Sequence, residues 1–219
     1  MLALYGHPFS SYTWKAQIAL HATGLDYDFR VFDEAHPEHY AFVQEQAGPL
    51  GKFPVLVDGD KVLFEASTIV EYIALHWPAA VPLIPDDPDA AIAIRMIDRV
   101  FDNYLMGSMQ AVVDEYLRDG ARPDDARCAE ARARLLRTYG WLDRWLAHYP
   151  LRGSDHITLI ECAAAPSLFY ADWVERIGDD FPRLAAWRAH LNALPAVSRC
   201  IEAARPFRPN FPLGAPDRD

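Results

Sequence analysis

Hydroxyl and charged side chains gather in three short stretches of this chain. "HPFSSYTWK" (7–15) follows a short apolar run and precedes a helical pattern. Its Ser10, Ser11 and Tyr12 admit two readings: ordinary capping residues, or a hydroxyl held over a helix N-terminus to stabilise an anion. "KFPVL" (52–56) sets Pro54 directly before a β-branched strand, where a residue lacking an amide proton belongs. With a cis Phe53–Pro54 bond, the Phe53 backbone would turn outward and pair with an extended peptide ligand, as strand addition does. "FEASTIVEY" (64–72) puts Glu65, Ala66 and Ser67 at a helix start, where free amides attract a carboxylate. Glu65 either meets a ligand ammonium group there or simply caps the helix with Ser67.

Other residues carry weaker signals. Lys52 is either a partner for a ligand carboxylate or a solvated lysine beside a turn. His36 and His39 flank a helix start, where lone histidines are usually surface residues. Met96, Met106 and Met109, with Tyr104 and Tyr116, either line an apolar pocket or are plain core. Thr158 followed by Glu161 in "TLIE" is a capping box, with a role in folding.

These residues need elements to hold them. Leu2 to Tyr5 and "YDFRVF" (27–32) read as strands, and Ser11 to Thr23 as a helix stopped by Gly24. "PEHYAFVQEQ" (37–46) and "STIVEYIALHW" (67–77) read as helices. "FPVLVDGDKVLF" (53–64) is a hairpin around Asp58-Gly59. The order β-α-β-α-β-β-α is α/β with a mixed sheet. Four prolines in "PAAVPLIPDDPD" (78–89) mark a linker. Beyond it, Ile92/Met96/Val100/Tyr104, Leu135/Tyr139/Leu142/Leu146 and Leu184/Trp187/Leu191/Leu194 form apolar stripes of a helical bundle. The proline-rich tail from Arg205 reads as an extended segment.

Bulk properties narrow the function. The 219 residues are 51% apolar and 24% charged, as in a globular protein with a real core. A net charge of −10 argues against nucleic acid as a partner, since no basic block offsets phosphate repulsion. Cys128, Cys162 and Cys200 fit neither a disulfide framework nor a zinc site and read as buried thiols in a reducing compartment. No signal peptide and no bilayer-spanning run is evident, so no membrane role and a cytoplasmic location are expected.

A strand, a hydroxyl at the first helix, a Pro-led hairpin, an acidic residue opening the next helix, a linker and a helical bundle together resemble the cytosolic glutathione transferases. The resemblance spans nearly the whole chain and is most specific in "GKFPVL" and "FEASTIVEY". It implies an α/β thioredoxin-like N-terminal domain (βαβαββα) that binds glutathione over residues 1–77. A linker over 78–88 and an all-α helical C-terminal domain over 89–219 follow. The serine-type, bacterial-like classes carry the catalytic hydroxyl eight residues before the position of Ile18, which is Ser10. Pro54 matches the family's cis-proline, and Phe53 would pair its backbone with the cysteinyl unit. Glu65, Ala66 and the adjacent Ser67 would meet the γ-glutamyl end, and Lys52 and His39 the glycine carboxylate. Glutathione is then a co-substrate, with no metal, a small apolar electrophile as second substrate, and a homodimer as the assembly. Ala66 stands where a serine is usual, and Phe53 is bulkier than the usual aliphatic residue. "SSYTW" is similar to the zeta-class "SSCxW", with Tyr12 in place of the cysteine. A glutathione-dependent isomerase, a reductive dehalogenase and a non-catalytic binding protein are the alternatives on this scaffold, the last favoured by Ala66.

Overall fold

The computed structural model describes residues 1–79, 82–118 and 122–219. Strands β1 (Leu2–Gly6), β2 (Tyr27–Val31), β3 (Val55–Asp58) and β4 (Lys61–Phe64) form one sheet in the order β2-β1-β3-β4. β1 and β2 are parallel, and β3 and β4 join antiparallel. Parallel neighbours need a crossover, supplied by α1 (Ser11–Thr23), which ends where Gly24 turns left-handed at φ +68°. α2 (Pro37–Gln46) precedes the hairpin and α3 (Ala66–His76) follows it, as the sequence predicts. The hairpin turns at Gly59, φ +58°.

The remaining regular elements among the described residues are helices: α4 (Pro88–Arg99), α5 (Gly107–Leu117), α6 (Asp125–Trp145), α7 (Leu159–Val174), α8 (Pro182–Ala193) and α9 (Pro195–Ala204). Between α4 and α5 the helix widens into a π-helical segment, Val100–Met106. Such segments recur at functional sites. α7 is apolar on nearly all sides and buried along its whole length, so it forms the axis around which α1, α4, α5 and α8 pack. The predicted capping box starts it. The Thr158 Oγ1 accepts from the Ile160 amide at 3.1 Å, and Glu161 accepts from the Thr158 amide at 2.9 Å. The Tyr149 hydroxyl donates to the second Glu161 oxygen at 2.6 Å.

The stripes on α6 and α8 are buried as expected. The α4 stripe is not: Ile92, Met96 and Tyr104 are 62%, 60% and 60% exposed. The helix has a second apolar face, Ala91, Ile97, Phe101 and Leu105, and that face turns inward. The linker is pinned where the Leu83 carbonyl accepts from the Leu159 amide at 2.9 Å, while Ala80 and Val81 of the predicted linker lie outside the described residues. The tail is not wholly extended, because Arg205–Asn210 winds into a 3₁₀ turn.

A charged cluster is sealed between the sheet's helices and the helical part. The Lys15 ammonium, on α1, lies 2.5 Å from Asp98 Oδ1 and 2.8 Å from Asp102 Oδ2. Lys15 is 1% exposed and Asp98 0%. Lys15 also donates to the Ser67 hydroxyl at 2.8 Å; that hydroxyl donates to Asp98 at 2.9 Å and accepts from Arg99 at 2.9 Å.

Lys15→Met leaves Asp98 buried without its ammonium and is expected to cost about 3–5 kcal/mol in urea unfolding; a loss below about 1 kcal/mol, the scale of an exposed pair, would contradict the sealed-cluster description. Thr158→Ala removes the α7 cap and is expected to cost about 1–2 kcal/mol, with an unchanged midpoint as the contrary result.

Candidate functional site

The loop between β1 and α1 is fixed from several sides. Gly6 is required there, since a Cβ would stand 2.6 Å from Thr13 Oγ1. The Trp14 indole donates to the Pro8 carbonyl at 2.6 Å, and the Tyr170 hydroxyl on α7 donates to the Phe9 carbonyl at 2.9 Å. Ser10 is the N-cap of α1: its Oγ accepts from the Thr13 amide at 3.2 Å. A serine oxygen that accepts once still has its own hydrogen to donate. Capping and anion stabilisation are therefore compatible at this one hydroxyl.

Two cavities adjoin at this loop and share Tyr12, Lys52 and Phe53. The smaller, 350 Å³, is walled also by Pro54, Glu65, Ala66, Arg99, Asp102 and Asn103. The larger, 790 Å³, runs from His7, Phe9, Ser10 and Ser11 to α5 and the C-terminal segment at Asn210–Pro212. The smaller is rich in charge and the larger mostly apolar, so the pair suits a polar ligand beside an apolar one.

The smaller cavity opens on the start of α3. Glu65 is held at φ +68°, a conformation that non-glycine residues seldom adopt and that clusters at functional sites. Its side chain makes no cap, so the first amides of α3 are left for an anion. Burial raises the Asp102 carboxyl above its ordinary value, with Lys15 opposing. Burial, then the carboxylates of Asp102 and Glu65, push the Tyr12 phenol up to about 12. Near neutral pH Tyr12 is thus a donor.

Of the residues singled out in the sequence, Ser10, Ser11, Tyr12, Lys52, Phe53, Pro54, Glu65 and Ala66 all line one or both cavities, and the Phe53–Pro54 bond is cis. Ser67 is buried behind the wall, its hydroxyl engaged by Lys15, Asp98 and Arg99. His39 lines neither cavity; its Nδ1 lies 2.8 Å from the Val31 carbonyl, and its ring stacks on His36. Met109 lines the larger cavity and Met106 is core, whereas Met96, Tyr104 and Tyr116 are exposed. Sequence reasoning missed Arg99, Asp102 and Asn103. Their one sequence signal is the pair of aspartates four residues apart, Asp98 and Asp102, which stand on one face of a predicted helix. Among the described residues no group of three His, Cys, Asp or Glu side chains is arranged to hold a metal, and no helix is long and apolar enough to cross a membrane.

Known proteins share this architecture. The family model described as "Glutathione S-transferase, N-terminal domain" matches residues 4–78. Glutathione S-transferase 1 of Dianthus caryophyllus is 37% identical over 169 residues, covering 76% of each chain. Glutathione S-transferase PARB of Nicotiana tabacum is 28% identical over 210 residues, 92% of this chain and 97% of its own. A glutathione S-transferase of Methylobacillus flagellatus, solved with glutathione bound, superposes with a TM-score of 0.79 at 25% identity, covering 91% of this chain and 98% of its own. With the strand order, the cis-proline loop and the capped α1 already described, these likenesses make the chain a member of the glutathione S-transferase family.

Proposed function

We propose that this protein is a glutathione transferase of serine type. Glutathione occupies the smaller cavity, and an apolar electrophile the larger. The observation that carries this reading is the Ser10 hydroxyl, fixed at the α1 N-terminus in the wall of the larger cavity, two residues from Tyr12, which lines both, with its hydrogen free to donate. Glutathione reacts as its thiolate, and a free thiol is mostly protonated at neutral pH. Lowering the thiol pKa by about two units requires about 2.7 kcal/mol of preference for the anion. A hydrogen bond to a charged group supplies about 1.5–3 kcal/mol, and the helix N-terminus adds to it. The Glu65 carboxylate and the α3 amides serve the γ-glutamyl end through its ammonium and carboxylate. The Phe53 backbone serves the cysteinyl unit, and Lys52 the glycine carboxylate, with His39 held at the sheet edge nearby. Ala66 contributes its amide and Ser67 supports the wall from behind.

We assign glutathione binding to residues 1–77, the linker to 78–88 and the electrophile-facing helices to 89–219. Three free, buried cysteines fit the reducing cytoplasm. The exposed stripe of Ile92, Met96 and Tyr104, with Leu75 also exposed, supports a homodimer, because an apolar band of that length is seldom left in water.

Calorimetric titration with reduced glutathione is expected to give saturable binding, and Ser10→Ala to keep that binding while lowering turnover by about ten-fold or more. Absence of binding in the wild-type protein would favour a non-catalytic role; unchanged turnover in the variant would move the hydroxyl function to Ser11 or Tyr12. Light scattering on the wild-type protein is expected to give twice the mass of one chain, and on Met96→Asp the mass of one. A wild-type mass of one chain would remove the dimer.

A further inference from the structure

The larger cavity holds a side chain that the proposed reaction does not use. His7 lines it from the Ser10 loop, and its carbonyl accepts from the Ser10 amide at 3.0 Å. The Phe9 amide donates to His7 Nδ1 at 3.1 Å. An amide only donates, so Nδ1 must carry the lone pair, and in the neutral ring the proton sits on Nε2. Phe207, in the C-terminal 3₁₀ turn, meets the imidazole edge-on at 4.6 Å between centroids. The ring is thus held in one orientation and one tautomer. Burial lowers its pKa, outweighing the nearby Asp33, which keeps it neutral near pH 7. Nε2–H meets no acceptor among the described residues.

We propose that His7 is a specificity-determining hydrogen-bond donor to the electrophile, selecting conjugated carbonyl compounds. The inference rests on the glutathione transferase reading above. A neutral imidazole whose proton is already on Nε2 cannot serve as a base there, but it can stabilise an oxygen on which negative charge grows. In conjugate addition the sulfur lone pair forms the S–C bond at the β-carbon. The alkene π pair shifts to give an enolate, whose oxygen accepts the Nε2 hydrogen bond. Water then delivers a proton to the α-carbon, which balances the step. The rest of the cavity fits a neutral, largely apolar molecule with a single polar end. Met109, Val113, Leu117 and Phe211 are apolar, and the charges of Asp114 and Lys52 oppose one another, so the lining has no net preference for an ion. The Gln110 amide is already engaged, donating to Asp114 at 2.7 Å.

Cinnamaldehyde and cinnamyl bromide share a carbon skeleton and differ in where the charge goes: to a carbonyl oxygen in the first, away with bromide in the second. Steady-state rates with both, after subtracting the uncatalysed reaction, test the proposal in the full-length protein. His7→Phe is expected to lower kcat/KM for the aldehyde by about ten-fold and to change that for the bromide by less than about two-fold, the difference of one charge-assisted hydrogen bond. His7→Gln, whose amide nitrogen falls near the Nε2 position, is expected to restore most of the aldehyde rate. Glutathione affinity, measured by calorimetry, should be unchanged in both. Equal losses on the two electrophiles, no loss on the aldehyde, or a wild-type protein active on the bromide alone would overturn the donor role while leaving the transferase reading standing. No turnover of either compound by a wild-type protein that binds glutathione would overturn the donor role, and absence of glutathione binding would overturn the transferase reading with it.

Discussion

Lys15 has almost no access to water, so the cost of taking its charge out of solvent must be offset by the carboxylates that face it. Those carboxylates come from the far side of the linker, at the end of α4 and in the π-helical segment. Ser67 completes the cage from α3. Three elements that are distant in sequence therefore meet at one ammonium group. The cluster also lies directly behind the cavity that holds Glu65, Ala66 and Asp102, so whatever fixes the cluster fixes that wall. Asp102 belongs to both: one face toward Lys15, the other toward the cavity.

The wall opposite is set by different means. The loop of His7 to Ser10 has no regular structure of its own, yet nearly every polar group in it has a partner. An indole, a phenol and the Thr13 amide each make one bond to it from outside. Order of this kind suits a site whose task is to favour an anion, because donors that are already aimed need not reorganise when charge appears. The strained Glu65 backbone across the cavity is the counterpart, a costly conformation maintained by the buried helix that follows it.

Much of this was legible in the sequence where the signal is local. Gly24 ended its helix, Asp58-Gly59 made its hairpin, and Thr158 with Glu161 opened α7, because each depends on residues within a turn of one another. The stripes of α6 and α8 are legible because each helix has one apolar face, and that face is buried. On α4 two apolar faces compete, and periodicity alone cannot tell which turns inward; the regular four-residue stripe is the one that faces out. Ser67 reads as a helix cap or a ligand contact, yet its hydroxyl is claimed by a lysine 52 residues earlier in the chain. Arg99, Asp102 and Asn103 reach the cavity wall from beyond the linker, on the widened helix, and nothing in a linear pattern announces that widening.

The bond from Tyr170 to the Phe9 carbonyl joins residues 161 positions apart. Chains emerge from the ribosome N-terminus first, and folding units tend to form in that order. The strands and α1 are available early, but the loop that carries Ser10 lacks the Tyr170 bond until α7 has been made. The loop that carries Ser10 therefore gains its one long-range hydrogen bond among the described residues only after synthesis has passed the buried central helix, and until then it is held by hydrogen bonds within residues 7–14 alone.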